Sequence, residues 1–412
     1  LNTRQMDKPD HYWLGIDFLR GIGVFCLVIM HSAFYYFSGL WDLDLESPPL
    51  IITVIGFLLM FAGLFGMISG LVHGISIFRL HRDRKWPLHK ILKKKLVTAI
   101  FILGTASIYF IFTGPGLADF SQHRMDNSIL VELIHTGLWP GFSVDRVLYI
   151  DSLVMIGTNI ALVSLIWVGL IFMKKLSPQV LLIISGLVLL VSLLRIPLYA
   201  VYLESLSDGK WYFVLLLNAW VNKNNPIFPF LAFGLFGSWL GMRLEQGLSH
   251  KPPSILGWIL LAAGTGLYLI LPDTMLERAI DLKWYSIMIM QLGLFLLLIL
   301  AAVRVFDLHK PELRKNKVAR FFIRFGQAGL TAFFWESVVA AMIWRLLKTV
   351  DPAFHLNIPA AIFFGLCLAL AWGTILMAWE KIHYKGSIEY LYARAVSSIG
   401  GFSSKAGKLN QS

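Results

Sequence analysis

Charge and cysteine are what this sequence has least of. Asp, Glu, Lys and Arg make up 15% of its 412 residues, and cysteine occurs twice, at Cys26 and Cys367. Both cysteines sit in apolar runs with no motif spacing, so they are expected to be packed thiols. Also missing are an HExxH, a CxxC, a pair of His at helical spacing inside an apolar run, a P-loop and a dinucleotide-binding glycine motif. No metal is therefore expected, and the chemistry left to the chain is acid and base work by side chains. There is also no short apolar stretch followed by a cleavage site, so no signal peptide is read.

What is abundant is apolar surface. A chain that is 57% hydrophobic and 14% aromatic has the composition of a polytopic membrane protein. Apolar runs near 12–38, 50–78, 96–114, 148–173, 178–201, 226–243, 254–271, 284–306, 318–346 and 358–379 predict an all-α protein of about ten transmembrane helices. Residues 1–379 are expected to form one transmembrane domain, and 380–412 a cytosolic tail ending in small and polar residues. The segment 208–225 is read as a half-helix or interfacial piece, because Asn218, Asn222, Asn224 and Asn225 cannot lie in lipid unpartnered. In the loop 115–147, an amphipathic piece around Ile129 to Leu138 is expected to lie on the membrane as a lid.

The net charge of +12 comes from basic residues clustered between the apolar runs. In that position they report orientation rather than nucleic-acid binding, and they place both termini in the cytosol. The densest cluster holds Arg79, Arg82, Arg84, Lys85, Lys90, Lys93, Lys94 and Lys95 against the single acid Asp83. A second basic stretch runs from Arg304 to Arg324. Attraction to anionic lipid headgroups accounts for part of this charge. Two such loops at one cytosolic mouth would also suit a polyanionic ligand such as a nucleotide-containing thioester.

Ionisable groups inside the apolar runs are expensive and mark functional candidates. The first run carries Asp17, Arg20 and His31; the ninth carries Glu336. At 1.5 Å rise per residue, Arg20 and His31 lie roughly 16 Å apart along a helix and nearly on one face. Glu336 is expected to pair with an intramembrane cation such as Arg20 or Arg195, or to orient His31. Asp151, Asn159 and Gln291 are read as helix-to-helix hydrogen-bonding groups. The small residues Gly63, Gly66, Ser69, Gly70 and Gly74 allow two compatible readings: close helix packing, and a flat face leaving room for a ligand arm beside His31.

Several of these stretches resemble one family. IDFLRGIGVFCLVIMH is similar to the opening helix of the membrane acyltransferase superfamily, where an Arg, ten residues and a His form a signature matched by Arg20 and His31. NPIFPFLAFGLFGSWLGMRLE, FGQAGLTAFFWES and GSIEYLYAR resemble, in that order, stretches of its domain-of-unknown-function 418 branch, akin to heparan-α-glucosaminide N-acetyltransferase and to the acyltransferase-3 glycan O-acetylases.

The resemblance implies a membrane-bound enzyme that moves an acyl group, acetyl by expectation, from cytosolic acyl-CoA to a hydroxyl or amine of a glycan or lipid-linked acceptor. His31 would be the base, Arg20 would hold the donor, and Glu336 would fix the His31 tautomer. Arg82, Arg84, Lys93, Lys94 and Lys95 would receive the nucleotide phosphates. Membrane lipids are the expected surroundings, nucleic acid is not an expected partner, and a homo-oligomer is left open. The sole Asn-x-Ser sequon, Asn410-Gln411-Ser412, falls in the cytosolic tail, so a bacterial or archaeal plasma membrane is the default location. Two rivals remain: a transporter or channel using Asp17, Arg20, His31 and Glu336 as a pathway, and a catalytically silent subunit of a membrane complex.

Overall fold

The computed structural model describes residues 12–43, 61–120, 123–141, 146, 149, 151–222, 225–272, 280–309 and 311–400. Among them ten helices are long and apolar enough to cross a membrane: Leu14–Tyr36, Ala62–Arg82, Leu88–Thr113, Ser152–Phe172, Pro178–Ser207, Ile227–Glu245, Lys251–Ile270, Leu282–His309, Gly329–Val350 and Ile358–Glu380. The protein is an all-α integral membrane protein.

Taken in chain order, α1 is Leu14–Tyr36, α2 Ala62–Arg82, and α3 Leu88–Ile108, which continues through a π-turn at Tyr109–Thr113. A two-stranded antiparallel ribbon of β1 (Leu117–Asp119) and β2 (Arg124–Asp126) precedes the short α4, Ile129–Thr136. Next come α5 (Ser152–Phe172), α6 (Pro178–Val191), α7 (Arg195–Ser207), α8 (Trp211–Val221), α9 (Ile227–Glu245) and α10 (Lys251–Ile270). The chain ends through α11 (Leu282–Val303), α12 (Lys317–Gln327), α13 (Gly329–Val350), α14 (Ile358–Glu380) and α15 (Ile388–Gly400).

Hydrogen bonds between helix ends fix which ends share a face. The Asp307 carboxylate accepts from Leu14 N and Gly15 N at 2.9 and 3.0 Å, tying the start of α1 to the end of the eighth span. Glu245 at the end of α9 takes a bidentate pair from Arg79 at the end of α2, 2.6 and 2.8 Å, and accepts from Trp13 Nε1 at 3.1 Å. Such forked pairs are the strong kind. All these ends lie on the face that carries the basic stretches, the face expected to be cytosolic by the positive-inside rule. At the opposite face Ser38, beyond α1, exchanges hydrogen bonds with Leu356 before α14.

Glycine decides how closely the central helices approach. A Cβ at Gly70 of α2 would fall 1.9 Å from Gly234 O of α9, and one at Gly237 would fall 1.9 Å from Met67 O. Close packing is observed along this stripe, where Gly63, Gly70 and Gly74 meet α9 and Gly66 meets Met155 of α5. α1 is likewise pressed backbone to backbone on α12, since a Cβ at Gly21 would fall 1.8 Å from Phe322 O.

Three expected boundaries shift. The ninth run is not one helix: it breaks at Ala328, which has φ −122° and ψ 31°, into the amphipathic basic α12 and the spanning α13. The third span starts at Leu88, so Lys90, Lys93, Lys94 and Lys95 stand on a helix and not in a loop. Residues 388–400 of the tail form a helix docked on the bundle, with Glu389 capping α13 and Tyr392 Oη 3.0 Å from Thr98 Oγ1 of α3. Residues 401–412, and residues 50–60 of the second run, lie outside the described residues.

The half-helix reading of 208–225 agrees with α8. Asn218 and Asn222 are buried there, and the Asn222 amide donates to Tyr202 Oη at 2.9 Å and to Asn218 Oδ1 at 2.6 Å. Arg195 Nε donates to Val221 O at the C-terminus of α8, and its guanidinium stacks on Trp284 at 4.3 Å. A cation at the end of a helix stabilises it against lipid, which offers no hydrogen bonds.

Candidate active site

His31 and Glu336 meet. The Nδ1 of His31, on α1, is hydrogen bonded to Oε1 of Glu336, on α13. Glu336 is 1% exposed and the His31 side chain 21% exposed. The break at Ala328 makes this possible, because it starts α13 anew and puts Glu336 eight residues into it rather than deep in one continuous helix. Glu336 thus pairs with His31 and not with Arg20 or Arg195. With Nδ1 engaged by a carboxylate, Nε2 is the nitrogen left to exchange a proton with another molecule.

The His31 ring is one wall of a cavity of about 270 Å3 on the side away from the basic stretches. Tyr36, Trp41, Asn127, His135 and Trp344 line it too. Its roof is α4, the piece expected to act as a lid, which docks on α13 through Val131 against Val338 and Ala341. Arg345 of α13 is hydrogen bonded to the Ile134 carbonyl near the end of α4. Inside the cavity His135 Nε2 lies 3.2 Å from Tyr36 Oη, with the rings 5.8 Å apart. Burial holds the His135 imidazole below its ordinary value, Arg345 pushes the same way, and Glu132 opposes them. The sequence reading missed the Tyr36–His135 pair. The signal available for it was the amphipathic stretch itself, whose last turn carries His135.

The other expected site residues divide into two groups. Arg20 donates to Asp17 Oδ1, one turn earlier on α1, at 2.6 Å, and it does not join His31 and Glu336. At the face that carries the basic stretches Arg82 pairs with Asp83 at 2.6 Å, while Arg84 and Lys93 are exposed. Lys94 lies 5.5 Å and Lys90 4.5 Å from the centre of the Trp86 ring. Lys95 differs from the exposed members of the set. It is 3% exposed, and its ammonium lies 3.1 Å from His73 Nδ1, so it belongs to the bundle interior.

Two polar residues read as helix-to-helix groups have plain structural roles. The Asn159 amide donates to Phe230 O of α9 at 3.0 Å. Asp151 instead caps its own helix, accepting from Leu153 N and Val154 N at 2.9 and 3.0 Å.

No family model matches the chain, and no curated protein matches it.

Proposed function

We propose that this protein is a membrane-bound acyltransferase that takes an acyl group, acetyl in the first instance, from acyl-CoA at the cytosolic face of a plasma membrane. The acceptor would be a hydroxyl or amine of a glycan or lipid-linked compound entering from the other face. The observation that carries this reading is the His31–Glu336 pair, built from two helices inside the membrane at the wall of an outward cavity. The basic stretches stand at the opposite face, as a donor with several phosphates requires.

The chemistry follows from the pair. Glu336 accepts the Nδ1 proton, so neutral His31 presents Nε2 as a base, as in other carboxylate–imidazole pairs. Nε2 takes the proton of the acceptor hydroxyl as its oxygen adds to the thioester carbonyl. The tetrahedral intermediate then expels the thiolate, the C–S bond breaks, and the imidazolium returns the proton to sulfur. Arg20 with Asp17, near the cytosolic end of the same helix, stands where the donor arm would enter. Arg84, Lys93 and Lys94 would draw the nucleotide phosphates, with Arg82 moderated by Asp83. Lys95, buried against His73, would hold the end of α3 rather than touch a phosphate.

Purified protein given acetyl-CoA labelled in the acetyl group tests the reading. Release of free CoA thiol together with label on an acceptor supports it. Solute flux in proteoliposomes with no thiol release would favour the transporter reading instead.

A further inference from the structure

Two buried polar atoms near His31 have no use in the chemistry above. Glu336 Oε1 is hydrogen bonded to His31 Nδ1, but the second carboxylate oxygen, Oε2, has no hydrogen-bond partner among the described residues. Neither has the hydroxyl of Tyr109, a residue that is 1% exposed. A buried polar group left unpaired is expensive, and the great majority in folded proteins are paired.

Local structure brings the two together. Tyr109 opens the π-turn that ends the third span, and such turns recur at functional sites. Its ring stacks on Phe333 of α13, with centroids 4.5 Å apart and planes inclined by 30°, and Phe333 in turn lies 6.0 Å from the His31 ring. Glu336 stands three residues after Phe333, so the two share a face of α13, about 4.5 Å apart along its axis. Of the charges acting on the Tyr109 hydroxyl, Glu336 is the strongest and Asp151 the next. Asp151 is already engaged, since its Oδ1 caps α5 through Leu153 N and Val154 N. Tyr109 Oη and Glu336 Oε2 are not directly bonded, and a single water with these two polar partners is the ordinary bridge across such a gap.

We propose that Tyr109 is a positioning residue for Glu336: its hydroxyl donates through one bridging water to Oε2 and so holds Oε1 on His31 Nδ1. The terminal torsion of a glutamate is broad, so a carboxylate tied by one oxygen can turn away from its partner. Tied by both oxygens, it keeps one plane, and the imidazole keeps the orientation that the carboxylate imposes. Tyr109 is not among the residues that line the outward cavity, so it acts through Glu336 and not on a bound molecule. The bridge exists whatever the pair does; only its effect on rate rests on the acyltransferase reading.

Tyr109→Phe tests it in the full chain in detergent, because it keeps the ring and its stack on Phe333 and removes only the hydroxyl. Loss of a bonded hydroxyl lowers the melting temperature, whereas loss of an unpartnered one raises it. The fall should be smaller in a Glu336→Gln background and undiminished in an Asp151→Asn background. The infrared difference between parent and Glu336→Gln isolates the Glu336 carboxyl band, and Tyr109→Phe should shift that band. With acetyl-CoA as donor, the kcat of Tyr109→Phe should fall about tenfold, the size of one hydrogen bond, with KM for acetyl-CoA unchanged. An unmoved carboxyl band, a raised melting temperature, or a fall that disappears only with Asp151→Asn overturns the bridge. A shifted band with kcat unchanged overturns the positioning role. A shifted band and lowered melting temperature in a protein whose parent transfers no acyl group would keep the bridge and remove the enzyme reading.

Discussion

Glu336 on α13 and His31 on α1, 305 residues apart in the chain, share a hydrogen bond inside the membrane. Each residue is costly there alone, since an isolated ionisable group in hydrocarbon is expensive, and each lowers that cost for the other. The pair also fixes the orientation of the imidazole, leaving Nε2 as the nitrogen not engaged by Glu336. Glu336→Gln keeps the shape and removes the charge. By analogy with other carboxylate–imidazole pairs, the variant should lose acyl transfer by about 10^2 to 10^4 while it still binds donor. Transfer at the parent rate would reduce Glu336 to a helix-packing group.

The C-terminal helix holds the other end of the same element. Glu389 of α15 accepts from Leu330 N at 2.7 Å, from Thr331 N at 3.2 Å and from Thr331 Oγ1 at 2.5 Å, so it caps α13, whose own preceding residue, Ala328, has no capping side chain. Glu389→Ala is expected to cost about 1 kcal/mol, the worth of a cap. The check is the melting temperature of the purified protein, with Glu389→Asp as an intermediate case. No change in either variant would mean that α15 does not brace α13 in the membrane.

Packing between α2 and α9 predicts a contrast between two glycines. Gly70→Leu must drive a side chain into the backbone of Gly234, whereas at Gly169 nothing lies within 4 Å. Overpacking of that kind costs about 1–3 kcal/mol or more. Size-exclusion profiles in detergent should show Gly70→Leu aggregated and Gly169→Ala monodisperse. Well-behaved Gly70→Leu protein would contradict the close α2–α9 contact.

Acid should loosen the docking of α4 on α13. Burial, with help from Arg345 and against Glu132, depresses the His135 value in the folded protein, and Tyr36 Oη is its hydrogen-bonding neighbour. Below the ordinary value of about 6.5 the unfolded segment therefore takes up a proton that the docked one resists. The stability contributed by the neutral imidazole is full above that pH and declines as pH falls toward and through the lowered value. Hydrogen exchange of residues 129–136, corrected for intrinsic rates, should show less protection near pH 5.5 than near pH 7.5, and His135→Gln should flatten the difference. Protection that rises on acidification would reverse the sign and exclude the mechanism.

How much of this was legible in the sequence depended on whether a feature is local. Apolar length placed the spans, and the cost of charge in lipid singled out Asp17, Arg20, His31 and Glu336. Which of them meet was not local: it depends on the break at Ala328, where the phase of α13 is reset, and on Gly21 and Gly326 bringing α1 against α12. Lys95 looked like its neighbours because a helix of unknown rotation does not say which lysine turns inward to His73. Tyr36 and His135 were missed because an outer-loop residue and a span end come together only when α4 docks on α13. The order of the glycines was readable, but not whether a helix or a ligand would occupy their face.

The central claim is that His31 is the base for acyl transfer, and His31→Ala tests it most directly. Rates of acetyl transfer and of free CoA thiol release should be measured for parent and variant protein of equal melting temperature, beside equilibrium binding of CoA. The account predicts transfer lowered by at least about 10^2, the usual worth of a positioned base, with CoA affinity within about threefold of the parent. A His31→Ala protein that transfers the acyl group at near the parent rate would contradict it.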